Sequence, residues 1–340
     1  MKIIRSRAPL RLGFAGGGSD LKVYSDKYGG AVINTTISLY VNCNIKYHNS
    51  QNIVFESIDG SIKTEYEINK KIEFDGKLDI YKAIHNKIHE RFSPKKIGFH
   101  LSTYSEVPSG SGLGGSSTLV VSILTAFLKL YNISLNKYDI AKLAYQIERE
   151  DMYIVGGQQD QYASVFGGFN FIEFKKDKSI EVIPLKINHN FLNELESSMV
   201  LYYTNIRRNA GQIEKEKTSL LTHNDSLQSM HLVKNSAIKM KEFLLSGNIL
   251  EIAKLTDLSW RAKKSVSPLV SNLEIEQLYS TAVSNGAIGG KISGAGGGGF
   301  MFFYVQPENK FKLINALNKE NGYVINFNFS PKGSESWLYK

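Results

Sequence analysis

Two glycine-rich tracts constrain the fold of this chain more strongly than any other feature of its sequence. The first, VPSGSGLGGSSTLVVSIL over residues 107–124, joins a glycine–serine segment directly to an apolar helix pattern. The second, GGKISGAGGGGFMFF over residues 289–303, leads into an apolar strand pattern. Ordering glycine costs more backbone entropy than ordering any other residue, and ordered glycine tracts usually bring the backbone close to another backbone or to a ligand.

The local chemistry of the first tract favours a phosphate cradle. Gly110, Gly112 and Gly115 match the dinucleotide pattern G-x-G-x-x-G, but residues 131–135, about 20 positions on, contain no acid to hold a ribose. No G-K-[ST] follows the tract, which excludes a Walker A loop. A helix that begins near Ser116 presents unpaired N–H groups and a positive dipole end to an anion. A flexible turn with Ser116 as the helix cap is the alternative.

The second tract repeats the glycine spacing in a different context. Gly294, Gly296 and Gly299 match the same pattern, but they precede a strand rather than a helix. The dinucleotide interpretation therefore fails here as well. Close approach to a ligand and a tight loop packed on a neighbouring strand both remain open.

Composition indicates a globular protein with an anionic partner. The 340 residues suggest two domains, and 42% hydrophobic and 11% aromatic residues exclude wholesale disorder. The net charge of +9 favours anionic partners, namely phosphorylated metabolites, nucleotides, nucleic acid or an anionic membrane surface, and does not choose among them. The Lys and Arg residues are scattered rather than gathered in a basic tail, which argues against nucleic acid. Cys43 is the only cysteine and alternates with apolar residues, which predicts a buried strand thiol and excludes a disulfide or a thiolate metal cluster. Without a signal peptide or spanning segment, the predicted location is cytoplasmic, and a homodimer is one option.

Apolar periodicity predicts a mixture of strands and helices without a regular βαβ rhythm. Residues 1–105 are mainly strand-like, with one helix near 78–92, and helices are predicted over 116–131 and 137–151. Residues 211–285 are helical with breaks near Asn224, Gly247 and Pro268, and a strand, a helix and a strand follow at 300–305, 308–318 and 323–329. The fold class is therefore α+β, with domains over 1–190 and 191–340.

Three stretches taken together resemble the motifs of the GHMP small-molecule kinases. PSGSGLGGSS over 108–117 is similar to the family's P-x-x-x-G-L-G-S-S, with Gly115 where serine is usual. KISGAGGGGF over 291–300 is similar to the third motif, and APLRLGFAGGGSD over 8–20 resembles the first. In the first motif Gly17 and Gly18 replace the Glu-His pair of the galactose-type string, which argues against galactose recognition.

The resemblance implies a two-domain GHMP kinase fold with the active site in the interdomain cleft. Its N-terminal α/β domain is related to a ribosomal protein, its C-terminal domain is ferredoxin-like, and ATP and Mg²⁺ are its cofactors. The residues it implies for nucleotide contact are Pro108, Gly110, Ser111, Gly112, Leu113, Gly114, Gly115, Ser116 and Ser117. The adenine pocket of the family is mostly apolar and lies upstream of the central motif, somewhere in 60–110.

The resemblance also implies the catalytic and metal-binding residues. Asp160, in GGQQDQYASVFGG, matches the aspartate that faces the attacking hydroxyl, and Arg11 is expected beside it and the γ-phosphate. Ser116 and Glu148 match the two protein ligands of Mg²⁺. Asp151 is a rival ligand because it lies nearer the centre of the apolar stripe of helix 137–151.

Within the family, the motifs look most like the branch that phosphorylates the anomeric hydroxyl of a sugar phosphate. Arg207 and Arg208 are the predicted contacts of the substrate's own phosphate, with Lys263 and Lys264 behind them. The complete set of predicted substrate contacts is Gly17, Gly18, Asp20, Arg207, Arg208, Gly294 and Gly296. The alternatives are a kinase of an unphosphorylated sugar such as fucose or galactose, a non-catalytic ATP- and sugar-binding sensor, and a basic nucleic-acid binder.

Overall fold

The computed structural model describes residues 3–68, 70–206 and 209–339. Its strands are β1 Ile3–Ala15, β2 Gly30–His48, β3 Asn52–Ser57, β4 Ile62–Glu67, β5 Gly98–Ser105, β6 Phe169–Phe174, β7 Ile180–Pro184, β8 Met199–Tyr203, β9 Ala287–Ile292, β10 Phe300–Val305, β11 Tyr323–Ile325 and β12 Glu335–Tyr339. Its α-helices are α1 Lys22–Tyr28, α2 Asp79–Phe92, α3 Gly115–Leu130, α4 Lys137–Tyr145, α5 Gln159–Phe166, α6 His189–Ser197, α7 Ala210–Leu220, α8 Asn224–Ser246, α9 Ile249–Val266, α10 Leu273–Ser284 and α11 Pro307–Leu317. A π-helical turn spans Gln146–Asp151 and a 3₁₀ turn spans Pro268–Val270.

The larger sheet is built around the long strand β2. Its strand order is β12-β1-β2-β5-β3-β4, and β6 pairs with the first part of β2 and carries β7 at its outer edge. Neighbouring strands are antiparallel except for the parallel pair β3 and β5. Helix α3 packs on β1 and β2 and is covered by α2, α4 and α5, so it is buried on nearly every side. This position explains why its sequence is apolar throughout rather than along a single stripe.

The smaller sheet has the order β11-β8-β10-β9 and is antiparallel throughout. All six residues of β10 are buried, because the sheet is covered on both faces. Phe300, Phe302 and Tyr304 belong to the apolar cluster that also contains Phe14 of β1, whereas Met301 and Phe303 pack in the cluster with α10 and α11. Burial on both faces explains the uninterrupted apolar run of this strand.

The two sheets are joined by packing and by the end of the chain. The rings of Phe14 and Phe302 stack with their centroids 5.6 Å apart. After β11 in the smaller sheet, the chain returns to the larger sheet, where β12 pairs with β1. The boundary between 1–190 and 191–340 stays a prediction. The last strand, β12, lies in the second range of residues but belongs to the larger sheet, because it pairs with β1.

Most predicted elements are confirmed, and the differences have physical reasons. The helical stretch 211–285 breaks at the three predicted places, and Cys43 is fully buried, which raises the pKa of its thiol. The helix predicted over 137–151 is α-helical only to Tyr145, and the strand predicted over 323–329 is regular only over Tyr323–Ile325. Periodicity missed α1, α5, α6, β7, β9 and β12. Strand β9 (AIGGKI) contains two glycines and was assigned to the glycine loop.

No helix among the described residues is both long enough and apolar enough to cross a membrane.

Candidate active site

Residues of all three motifs line one cavity of about 380 Å³. Fifteen of the predicted site residues line it: Arg11, Gly17, Gly18, Asp20, Pro108, Gly110, Ser111, Gly112, Gly114, Gly115, Ser116, Ser117, Glu148, Asp160 and Gly294. Leu113 and Gly296 are not among the lining residues. The carbonyl of Leu113 accepts the Arg11 backbone N–H at 3.0 Å and so fixes the loop beside β1. Arg207 and Arg208 lie outside the described residues.

The first glycine tract ends at the exposed start of helix α3. Gly114 is the N-cap, at φ +76°, and no side chain caps the helix, so the alternative of Ser116 as the cap is wrong. Thr118 donates the first bond of the helix to the Gly114 carbonyl, which leaves the N–H groups of residues 115–117 ahead of the hydrogen-bonded ladder. A Cβ on Gly115 would meet nothing within 4 Å. The start of the helix therefore faces open space, and its free N–H groups point into that space, where an anion could accept hydrogen bonds from them.

The second glycine tract packs on the first. A Cβ on Gly294, whose φ is +76°, would lie 2.6 Å from the Gly112 carbonyl oxygen. The Phe300 N–H donates to the Ser111 carbonyl at 2.8 Å, and Gly299 leaves no room for a side chain against that same carbonyl. A Cβ on Gly296 would likewise meet the backbone of Val270, at 2.7 Å. The glycines of the second tract thus permit contact between backbones, and this contact holds the first tract in place.

Substituting Gly294 tests this packing. We expect Gly294→Ala to lower the free energy of unfolding by about 2–4 kcal/mol, since it adds left-handed strain to a steric overlap. The matched control is Gly76→Ala, because Gly76 has φ +86° but nothing within 4 Å of an added Cβ. The free energy of unfolding of this control should fall only by the cost of the left-handed strain, about 1–2 kcal/mol. Urea denaturation measures both, and equal losses would show that the two tracts do not depend on close contact.

Asp160 and Arg11 form a bidentate ion pair next to the helix start. Asp160 lies in the first turn of α5, and Arg11 lies on β1. Arg11 Nε donates to Asp160 Oδ1 and Arg11 Nη2 donates to Asp160 Oδ2, both at 2.8 Å, while Nη1 donates to the Gly112 carbonyl at 2.6 Å. The Arg11 side chain is 5% exposed and that of Asp160 is 18% exposed. A Cβ on Gly114 would lie 3.3 Å from the Asp160 carboxylate, so the acid is adjacent to the phosphate-type loop.

Glu148 is a fully buried carboxylate that reaches the cavity from the π-helical turn. Its Oε2 accepts hydrogen bonds from Ser117 Oγ at 2.7 Å and from Gln161 Nε2 at 2.6 Å. Its Oε1 lies 3.2 Å from Arg149 Nη1 but makes no hydrogen bond in the part of the chain that the structure describes. A buried carboxylate oxygen without a hydrogen bond, facing a cavity that Ser116 also lines, fits a hard divalent cation.

Asp151, the rival to Glu148, is directed elsewhere. Its carboxylate pairs with Lys87 at 2.9 Å, and it is not among the residues that line the cavity. The helical-wheel argument for Asp151 was wrong because the turn over Gln146–Asp151 is π-helical, which changes the angular position of each residue after Tyr145.

A conservative change at Glu148 separates charge from shape. We expect Glu148→Gln to raise the Mg²⁺ concentration needed for half-maximal activity by about 10-fold or more, because the amide supplies a neutral oxygen in place of an anionic one. Glu150→Gln is the control, since the Glu150 side chain is 52% exposed and does not line the cavity. A magnesium titration of activity measures both variants. The same requirement in both would remove Glu148 from the metal site.

Asp20 is held firmly in the wall of the same cavity. Its Oδ1 accepts from the Gly18 N–H at 2.9 Å and from Gln159 Nε2 at 3.1 Å, and its Oδ2 accepts from the Gln159 N–H at 3.1 Å. Burial raises the pKa of Asp20, although the two backbone hydrogen bonds act in the opposite direction. The resulting rigid carboxyl group is suited to hydrogen bonding with hydroxyl groups of a ligand.

Sequence reasoning missed two lysines of the cavity, Lys217 and Lys291. Both are buried, on α7 and β9, and both line the cavity together with Lys263 of α9. Lys264, predicted alongside Lys263, instead pairs with Glu276 at 2.7 Å and does not line the cavity. Lys291 lies in the second glycine-rich tract, so the sequence contained a usable signal for its place in the site. Nothing in the polar sequence around Lys217 distinguishes that residue from surface lysines.

Burial and the nearby Arg11 and Lys217 lower the pKa of Lys291 to about 7. Because this folded-state pKa lies below the ordinary lysine pKa of 10.5, folding releases a proton between these two pH values, and stability rises with pH there. We expect wild type to gain up to about 1.4 kcal/mol per pH unit relative to Lys291→Met in this window. Urea denaturation from pH 7 to 10 measures the difference, and parallel curves for the two proteins would contradict it.

The opposite end of the cavity is bounded by residues of the larger sheet and of α2. Val41, Ser57, Asp59, Ile80, Tyr81, Thr103 and Ser105 line it. Four of these fall within residues 60–110, where the resemblance places the adenine pocket, and the others come from β2 and the segment around the end of β3. We expect a nucleotide base at this end.

Comparison with known proteins establishes the family. The model of the GHMP kinases N terminal domain matches residues 79–168, and that of GHMP kinases C terminal matches residues 240–323. Together they cover more than half of the chain. The chain therefore belongs to the GHMP kinase family, which implies the use of ATP.

Individual relatives are similar over nearly the whole chain. D-glycero-alpha-D-manno-heptose 7-phosphate kinase of Campylobacter jejuni is 52% identical over 99% of both chains. A crystal structure of a sugar kinase from Campylobacter jejuni has a TM-score of 0.84 and 51% identity, covering 100% of this chain and 99% of that one. A D-glycero-D-manno-heptose 1-phosphate kinase from Bacteroides thetaiotaomicron also has a TM-score of 0.84, with 39% identity over 98% of both chains. The predicted α+β two-domain GHMP kinase fold is thereby confirmed.

Proposed function

We propose that this chain transfers the γ-phosphoryl group of ATP to the anomeric hydroxyl of D-glycero-D-manno-heptose 7-phosphate, giving the 1,7-bisphosphate on the path to GDP-heptose. The observation that carries the proposal is the Asp160–Arg11 pair beside the open start of α3, in one cavity with Asp20. The 52% identical relative supports the choice of substrate and of its α-anomer.

The chemistry requires positioning and charge stabilisation more than covalent help. The Asp160 carboxylate lies beside Gly114, directly before the amides of residues 115–117 that would bind the ATP phosphates. In this position it can accept the proton of the attacking sugar hydroxyl. Arg11 fixes this carboxylate through two parallel bonds and keeps a guanidinium beside the charge that builds up on the transferring group. In this proposal Asp160 acts on the attacking hydroxyl, and Arg11 stabilises the charge of the transition state.

Mg²⁺ belongs to the proposal through its ligands. Ser116 and Glu148 would hold it, and the bound ion would neutralise charge on the ATP phosphates. Ser117 and Gln161 orient the Glu148 carboxylate through their hydrogen bonds to Oε2. Removal of the metal with EDTA should abolish activity, and Mg²⁺ should restore it.

The substrate contacts are also part of the proposal. Asp20 binds sugar hydroxyls, and Gly17 and Gly18 allow the ring to approach the backbone closely. Arg207 and Arg208 stay predicted contacts of the substrate, as does Gly294. Gly296 is no longer proposed as one, because it packs against the backbone of Val270 and is not among the residues that line the cavity. The proposal further includes a cytoplasmic location, which cell fractionation tests. A homodimer stays one option for the oligomeric state, and sedimentation equilibrium distinguishes it from a monomer.

A substrate panel tests the proposed function. The purified protein is assayed for ADP release with heptose 7-phosphate, free heptose, fucose and galactose, and the product is examined by ³¹P NMR. We expect turnover on heptose 7-phosphate and a new phosphorus signal coupled to the anomeric proton. Faster turnover on fucose or galactose would favour a kinase of an unphosphorylated sugar, and ATP binding without turnover on any sugar would favour a sensor. Steeply salt-dependent binding to oligonucleotides would favour a nucleic-acid binder.

A further inference from the structure

The cavity holds three buried lysines that the proposed chemistry does not use. Lys217, Lys263 and Lys291, here called the lysine cluster, are 1%, 3% and 3% exposed. They come from three separate elements, α7, α9 and β9, and all line the same cavity. Lysine is rarely buried to this degree without a counter-charge, because desolvation of an ammonium group is costly.

The contacts of two members of the cluster, Lys217 and Lys291, give only partial compensation for this burial. Lys217 pairs with Glu214 at 2.8 Å. Lys291 donates to the carbonyls of Gly13 at 3.1 Å and of Phe14 at 3.3 Å, which are neutral partners. Lys263 donates to the neutral carbonyl of Gly294.

The remaining carboxylates at this end of the cavity have other partners. Both oxygens of Asp160 bind Arg11, and those of Asp20 accept from Gly18 and Gln159. The cluster, Arg11 and Arg149 give the cavity lining five basic side chains, and it contains five acidic ones, those of Asp20, Asp59, Glu148, Asp160 and Glu214. Arg11 and Lys217 are already paired with Asp160 and Glu214, whereas the hydrogen bonds of Lys291 go to neutral carbonyls, so its ammonium group is available to a further anion.

One member of the cluster, Lys263, lies beside the residues predicted to receive the sugar. Lys263 Nζ is 3.9 Å from the position of a Cβ on Gly17, and Gln159 Nε2 is 3.6 Å from that position, so Lys263 adjoins the residues predicted to receive the sugar. Lys217 lies on α7, whose first two residues, Ala210 and Gly211, also line the cavity. The amides of residues 115–117 belong to another element, α3, and are available for the nucleotide.

We infer that the lysine cluster is the binding subsite for the phosphate monoester that the sugar substrate already carries. This inference rests on the proposed function, because it identifies the part of that site which recognises the 7-phosphate. A phosphate monoester carries a charge of about −1.5 to −2 near pH 7 and offers three acceptor oxygens, which matches a cluster of ammonium donors. Its negative charge would also offset the free-energy cost of burying these ammonium groups and the repulsion between them.

The test compares two substrates in each variant. Lys217→Met, Lys263→Met and Lys291→Met are assayed for kcat/KM on heptose 7-phosphate and on unphosphorylated heptose. Lys264→Met is the matched control, since Lys264 follows Lys263 in α9 but pairs with Glu276 outside the cavity. We expect the ratio of the two kcat/KM values to fall by about 10- to 100-fold in each cluster variant, from the loss of a charge-assisted hydrogen bond, and to stay at the wild-type value in the control.

Equal losses on both substrates would mean that the cluster serves the nucleotide phosphates, and an unchanged ratio would mean that it binds no substrate phosphate; either result overturns the inference. Circular dichroism verifies that each variant folds.

A second measurement separates this inference from the proposed function. Inorganic phosphate is titrated calorimetrically into wild type saturated with a non-hydrolysable ATP analogue and Mg²⁺. We expect phosphate to bind, and to bind about 10-fold or more weakly to Lys263→Met. If wild type binds phosphate in this way but fails to phosphorylate heptose 7-phosphate, the proposed substrate is wrong while the subsite stands. If wild type binds no phosphate, the subsite is wrong.

Discussion

Replacing Asp160 by asparagine is expected to lower kcat by roughly 10²–10⁴, with little change in KM for ATP. The amide cannot accept the proton of the attacking hydroxyl, and it no longer balances the charge of Arg11, which donates to both carboxylate oxygens at 2.8 Å. Side-chain volume is preserved, so the loss reports on chemistry. Steady-state kinetics with saturating ATP measure it.

Asp151→Asn is the control for this substitution. Asp151 lies nine residues earlier in the chain (160 − 151) and pairs with Lys87 away from the cavity. Its variant should keep the wild-type kcat, since an exposed ion pair contributes little even to stability. If Asp160→Asn retained wild-type kcat, Asp160 would have no role at the nucleophile.

Arg11→Lys is expected to lower kcat by about 10²–10³ although it keeps the positive charge. Arg11 uses its planar fork to bind both oxygens of Asp160 and the carbonyl of Gly112 together, and a single ammonium group cannot reproduce this geometry. KM for ATP should change much less than kcat, since the arginine acts on the carboxylate and on the transferring group.

Arg7→Lys provides the comparison on the same strand. Arg7 pairs with Glu335, its side chain is 40% exposed, and it does not line the cavity. Kinetics should therefore match wild type for this variant. Similar losses in the two lysine variants would indicate a general effect on β1 rather than a role for the Arg11 fork.

The central motif was the part of the site that sequence predicted best. Small residues before an apolar helix specify a local structure, and Ser116 and Gly114 therefore lie at the start of α3 as the pattern indicates. The breaks of the helical region 211–285 were equally local, because Gly247 and Pro268 act through their own backbone preferences. Local signals of this kind do not depend on the tertiary fold.

Features that depend on distant parts of the chain were not predictable. Strand β12 forms by pairing with β1, which ends 320 residues before β12 begins (335 − 15). The sequence of β12, ESWLY, contains no signal for this pairing. The same limitation hid Lys217, whose burial results from where α7 packs. The π-helical turn that directs Glu148 rather than Asp151 into the cavity is also not indicated by the apolar stripe of residues 137–151.

A crystal structure of the protein with a non-hydrolysable ATP analogue, Mg²⁺ and heptose 7-phosphate tests the central claim most directly. The account predicts phosphate oxygens within hydrogen-bond distance of the amides of residues 115–117, with the anomeric hydroxyl between the γ-phosphate and the Asp160 carboxylate. A triphosphate bound away from the start of α3, or an anomeric hydroxyl out of reach of Asp160, would contradict it.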